Sequence, residues 1–242
     1  MTNSVVVPLQ KVCMRLHNDS LLHSASDLNS FLGCAHAVAL NLRALDDPTL
    51  RAQRAQDDDS ARLVQDAGHA HEGDYLTRLK AAGPVAEIAA FGSIERRAVA
   101  TEAAMREGAA VIYQAAFLGA PWHGFADFLR RVNTPSALGD WSYEAVDTKL
   151  ARSPKPSHVL QLGVYSDLIE GVQQARPHGM HLVLGDRREA SFRAVEFRHT
   201  LDVAKARYLD FIATGAQGSG RQSCRSRRTA DTQALSRLRQ AG

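Results

Sequence analysis

Cysteine is scarce in this 242-residue chain. Cys13, Cys34 and Cys224 are odd in number and widely separated, which disfavours a disulfide framework and fits reduced thiols in a cytosol. Long apolar runs are also lacking. Nowhere do about 18 consecutive apolar residues occur, so no transmembrane helix and no membrane partner are expected. The opening stretch MTNSVVVPLQ has neither a basic n-region nor a long apolar run, so no secretory signal is expected and the compartment is taken as cytoplasmic.

The body of the chain lacks a basic excess as well. From Gln217 to Gly242 six arginines stand against one acid, Asp231. That tail carries +5 against +3 for the whole chain, which leaves residues 1–216 at about −2. Attraction to a polyanion must therefore come from a local patch or from the tail. Beyond Ala216 the apolar periodicity thins and Gly, Ser, Gln and Arg dominate, so residues 216–242 read as a basic, disordered tail.

What is present is an alternation of helical and strand-like segments. SASDLNSFLGCAHAVALNLRAL has Leu28, Phe31, Leu32, Ala35, Val38, Ala39 and Leu42 at helical spacing, with Ser26 or Asp27 as N-cap. LDDPTLRAQRAQDDDS is polar and reads as a connection. ARLVQDAGHAHEGDYLTRLKAAG is a second helix, closed by Gly83-Pro84. A short strand is expected over Val85 to Ala90, then a helical piece near Val99 to Glu107. AAVIYQAAFL, WHGFADFLRRV and SYEAVDTKLA follow as three strand-like runs. GAP and NTPSALGD, both turn-rich, separate them and predict an antiparallel meander. SHVLQLGVYSDLIEGVQ reads as an amphipathic helix. GMHLVLGD and ASFRAVEFR return to strands before a closing helix, LDVAKARYLDFIATG. No internal repeat is visible.

The chemistry-bearing residues sit in the middle of this pattern. On the strand containing YEAVDTKLA, Asp147 and Lys149 point to one face and Glu144 to the other. An isolated D-x-K of this kind is ordinarily a solvated ion pair worth a few tenths of a kcal/mol. Its neighbours change that. Asp127 stands in the apolar run GFADFL, where a lone buried carboxylate is costly, and a hairpin would bring it beside Asp147. Two close carboxylates repel unless a cation lies between them, and such a pair suits Mg²⁺. Gln161 and Tyr165 share a face of the following helix at i,i+4. In GHAHEGDYL, His71 and Asp74 lie one turn apart and Glu72 is expected to point elsewhere. HEGDY fails the H-E-x-x-H zinc pattern because Tyr75 stands where the second histidine must be. His69 and His71, at i,i+2, do not share a helix face.

The ordered set G-x-x-H (Gly68, His71), G-F-x-D-F (Asp127), D-x-K (Asp147, Lys149) and Q-x-x-x-Y (Gln161, Tyr165) resembles the RecB-like branch of the PD-(D/E)XK nuclease superfamily. SDLNSFLGCAH also looks like that branch's N-terminal S-x-L-x-x-F-x-x-C-P helix, with Ala35 in place of the proline. The likeness covers roughly Ser26 to Asp186. It is to bacterial RecB-family nucleases that form the nuclease part of longer helicase-like proteins, and more distantly to CRISPR-associated RecB-like exonucleases.

The resemblance implies an α/β fold with a restriction-endonuclease-like core, a mixed central sheet flanked by helices and an N-terminal helical part, over residues 1–215. It implies a metal-dependent nuclease acting on DNA, with RNA also open. Asp127, Asp147 and the Thr148 carbonyl would hold Mg²⁺ or Mn²⁺, and His71 would add a ligand or a phosphate contact. Lys149 would position the attacking water, and Gln161 and Tyr165 would orient the scissile strand. Relatives with an iron–sulfur cluster place one cysteine before the histidine motif and three near the domain end. Here only Cys34 and Cys224 are placed for that, so no cluster is expected. A truncated or frame-shifted copy of a longer protein, separated from a helicase or motor domain, is a further expectation. A non-catalytic nucleic-acid-binding module or inactive remnant is the alternative, and a hydrolase for another phosphoester a third.

Overall fold

The computed structural model describes residues 14–18, 20–53 and 59–215. The expected tail over 216–242, Cys13 and Cys224 lie outside the described residues, as does part of the polar connection before the second helix. The fold is α/β, a mixed six-stranded sheet flanked by helices.

The N-terminal part holds a small hairpin, β1 (Arg15–His17) and β2 (Ser20–Leu22), which the sequence pattern does not reveal. Where one helix is expected, two form: α1 (Ala25–Gly33) and α2 (Ala35–Arg43). The break is at Cys34, whose backbone is extended (φ −161°, ψ 99°). The N-cap is Ser24 rather than Ser26 or Asp27. Its side chain takes the Asp27 N–H, while the Ser24 N–H donates to Asp27 Oδ2 at 2.8 Å, which satisfies two orphan donors reciprocally. Cys34 is disulfide-bonded. This corrects the expectation of thiols at that position and removes its support for the compartment.

The supposed connection contains a short helix, α3 (Pro48–Ala52), capped by Asp47. Next come α4 (Asp59–Ala82), β3 (Val85–Glu87) and α5 (Ile94–Arg106). The strand is shorter, and the helix longer, than the pattern implies, because Ser93 caps α5 six residues before Val99. The three strand-like runs are β4 (Val111–Gly119), β5 (Trp122–Val132) and β6 (Ser142–Lys149), paired antiparallel in sequence order. Helix α6 (Pro156–Gln173) carries the chain to β7 (Gly179–Leu184), which runs parallel to β6. The last strand, β8 (Glu189–Arg193), is shorter than ASFRAVEFR. At Ala194 the apolar period changes from two to helical: Ala194, Leu201, Ala204 and Tyr208 bury one stripe of α7 (Ala194–Asp210). A π-helical turn (Phe211–Gly215) ends the described chain.

The sheet order is β3-β4-β5-β6-β7-β8. One face, with Ile112, Leu129, Tyr143, Ala145 and Leu182, packs in the main core with Leu162, Val164 and Ile169 of α6. The other face sets Phe128, Val146 and Val183 against Tyr75, Leu76 and Leu79 of α4. Residues that alternate along β6 therefore meet different helices. Among the described residues no helix is long and apolar enough to cross a membrane.

Helix α6 lies unusually close to β5 at Gly124. A Cβ there would sit 3.0 Å from Tyr165 Cε1 and 3.1 Å from Leu168 Cδ1. Gly124→Ala is therefore expected to overpack this contact and cost about 1–3 kcal/mol. Thermal unfolding would show it, at about 2–4 °C per kcal/mol for a chain of this size. A wild-type midpoint would mean that the helix does not press on the strand.

Candidate active site

Register brings the acids together. The β5–β6 ladder ends at Phe128↔Val146, one position before Asp127 would face Asp147. In the β4–β5 ladder, Tyr113↔Phe128 and Ala115↔Ala126 are paired, but Gln114 and Asp127 between them are not. Gln114, Asp127 and Asp147 thus occupy one transverse row in which regular pairing is interrupted. Gln114 has φ +58°, a left-handed conformation for a non-glycine residue. Such a conformation costs of order 1 kcal/mol or more and persists where its surroundings enforce it.

Each acid in the row has a distinct partner. Asp127 Oδ2 accepts from the Thr148 N–H (2.8 Å) and the Thr148 hydroxyl (2.9 Å), in place of a β5 backbone acceptor. Asp147 is fully buried, and the Lys149 ammonium pairs with its Oδ2. Apart from that ammonium and the neighbouring Asp127 carboxyl, no group among the described residues satisfies the Asp147 oxygens. Burial, and then the Asp127 charge, push the Asp147 carboxyl up to about 7 against the opposing pull of Lys149. Burial works against the Lys149 charge, but Asp147 and Asp127 outweigh it and hold the ammonium above its ordinary value.

Helix α6 closes the main-core side. Gln161 donates to the Tyr165 hydroxyl (2.8 Å). Tyr165 is buried, and desolvation followed by the Asp147 and Asp127 charges raises its phenol well above the ordinary range. The structure therefore brings five expected residues, Asp127, Asp147, Lys149, Gln161 and Tyr165, together with Thr148, into one neighbourhood.

Helix α4 supplies His71 and, beyond the expected set, Glu72. The His71 ring is buried with Nε2 3.3 Å from the Val183 carbonyl, which makes Nε2 the protonated nitrogen. Glu72, expected to point elsewhere, points inward instead. Its Oε1 accepts from Gln114 Nε2 (2.5 Å), and the Tyr113 hydroxyl is a further partner. Burial, and then the Asp127 charge, push the Glu72 carboxyl up to about 7. The helix lies along the sheet, so two consecutive positions both reach it. A polar residue inside VIYQAAFL was the available signal for Gln114, and Glu72 carried none beyond its neighbour His71.

Glu144 faces the α4 side of β6. It accepts from the Gly179 N–H (2.6 Å) and from His181 Nε2 (2.8 Å), a structural network apart from the acid row.

The residues fit a divalent cation of the Mg²⁺ type. A buried carboxylate met by a lysine ammonium and no backbone donor, with a second carboxylate beside it, is a donor set that a hard cation completes with water. Among the described residues no set of three or more His, Cys, Asp and Glu side chains is gathered to hold a metal unaided. The arrangement is thus a two-carboxylate site and not a full protein cage. No protein-family model matches this sequence, and no curated protein does.

Proposed function

We propose that the chain is a metal-dependent nuclease that hydrolyses DNA phosphodiester bonds on a restriction-endonuclease-like core. The supporting observation is the acid row: Asp127 and Asp147 on adjacent strands where pairing is interrupted, with Lys149 against Asp147. Asp127 and Asp147 would hold the cation, with the Thr148 carbonyl as a third oxygen. When bound, Mg²⁺ or Mn²⁺ supplies Lewis-acid activation of water and neutralises charge on the phosphate. Lys149 orients the attacking water and places a positive charge where negative charge develops. Thr148 fixes the Asp127 carboxylate through two hydrogen bonds. The Gln161–Tyr165 pair presents a hydroxyl and an amide for holding the strand. Gln114 and Tyr113 hold Glu72 at the rim.

Incubation with end-labelled single- and double-stranded DNA plus Mg²⁺ or Mn²⁺ is the direct trial. Cleavage by wild type, with a loss of at least about a thousandfold in Asp147→Ala, is the expected result. Equal cleavage by both proteins, or none by either, refutes the assignment.

A non-catalytic nucleic-acid-binding module is the second reading. It is favoured by the Lys149 ammonium, which sits on the oxygen a cation would claim. Binding without cleavage under every metal would select it.

A further inference from the structure

The loop from β6 to α6 and the first turn of that helix hold a group that the nuclease reading leaves unused. His158 stands three residues before Gln161 and seven before Tyr165, so the three share one face of α6. That face meets the sheet beside the acid row: Tyr165 packs against β5 at Gly124, three residues before Asp127, and the Lys149 charge acts on His158.

The ring is set by its own helix terminus. The Lys155 N–H donates to His158 Nδ1 at 3.4 Å, which makes Nδ1 the acceptor and leaves the proton on Nε2. Nε2 has no hydrogen-bond partner among the described residues, and the side chain is half-buried. Burial, and then the Lys149 and Lys155 charges, lower the imidazole to about 4, so it is neutral at physiological pH. The Lys155 charge acts on the ring, and Arg152, in the same loop, is exposed as is Lys155. A neutral N–H donor within reach of the Lys149 and Lys155 charges has the complement of an anionic oxygen.

Resting on the nuclease reading, we propose that His158 is a substrate-binding residue whose Nε2–H donates to a phosphate oxygen of the polynucleotide next to the scissile phosphodiester, with Arg152 and Lys155 pairing the flanking backbone. The ligand class is a phosphodiester backbone, read without regard to base. A neutral donor and a cation leave different marks on binding. A cation that pairs a phosphate releases counterions and steepens the salt dependence, whereas a neutral donor adds affinity without changing it.

The test uses the full chain and an end-labelled oligonucleotide, with Ca²⁺ replacing Mg²⁺ to hold the substrate uncleaved, over a series of salt concentrations. His158→Ala is expected to weaken binding about tenfold, as for one hydrogen bond to a charged oxygen, with the salt slope unchanged. His158→Gln, whose amide can reach the same oxygen, is expected to recover most of the loss. Arg152→Gln with Lys155→Gln is expected to flatten the slope by about 1.5. Thermal midpoints alongside separate lost folding from lost contact, because only a binding contact is restored by glutamine at equal stability. His158→Ala binding within twofold of wild type overturns the proposal, as does a slope that falls by a full cation contact. Failure of wild type to bind any oligonucleotide instead overturns the nuclease reading from which it grows.

Discussion

Asp147→Asn is expected to unfold at a higher temperature than wild type at pH 8 and, on the proposed nuclease reading, to lose cleavage altogether. The reason is that Asp147 is a carboxylate with no exposure, compensated by the Lys149 ammonium but by no backbone donor. Its folded pKa is raised above the ordinary aspartate value, to about 7. A raised acid binds its proton more tightly in the folded chain than in the unfolded one. Stability from this group is therefore greatest below about pH 4, falls as pH rises toward 7, and stays low above it. An isosteric amide removes that charge penalty. A net gain of about 1–2 kcal/mol at pH 8 is expected after Lys149 loses its partner, shrinking toward zero at pH 4–5. The midpoint difference measured across pH checks both size and sign. Millimolar Mg²⁺ should raise the wild-type midpoint at pH 8 through binding linkage and leave that of Asp147→Asn unmoved. An asparagine variant that is less stable at pH 8 than at pH 5, relative to wild type, contradicts the burial argument.

Lys149→Met should lose both stability and activity, and the two losses should separate in a double variant. The ammonium compensates a fully buried carboxylate, and its side chain is 25% exposed. Removing one partner of a buried pair strands the other charge, usually at about 3–5 kcal/mol. Partial exposure of the lysine reduces this to about 2–3 kcal/mol here. Adding Asp147→Asn removes the stranded charge, so Lys149→Met with Asp147→Asn should recover most of the stability in denaturant unfolding. On the proposed nuclease reading cleavage should not recover, because that reading assigns Lys149 to orienting water and Asp147 to holding the metal. Single-turnover rates for Lys149→Met alone should fall about 10²–10⁴-fold. Additive stability losses in the double variant would show that the two side chains do not act as a pair.

Much of this architecture was legible in local pattern. The alternation of β5 and β6, the turn-rich breaks around them and the apolar stripe of α6 produced the meander and the helix that follow. Period two also dictated that Asp147 and Lys149 share a face while Glu144 points to the opposite one. Boundaries were less legible where two patterns overlap. ASFRAVEFR satisfies a strand pattern, yet from Ala194 the same residues also satisfy a helical stripe, and burial against the sheet selects the helix. In the first helix, composition gave no warning that Cys34 would turn extended.

The sequence by itself determined which side chains could share a face and that an aspartate in an apolar run needed a partner, because both follow from backbone geometry and the cost of burying charge. Only the tertiary structure decided that β4–β5 pairing skips Gln114 and Asp127, that the β5–β6 ladder ends one position before Asp147, that Thr148 takes the place of a ladder partner for Asp127, and that α4 brings Glu72 within reach of the Asp127 charge. Those outcomes depend on register between distant segments and on the angle at which a helix lies over a sheet, which no short window of residues contains.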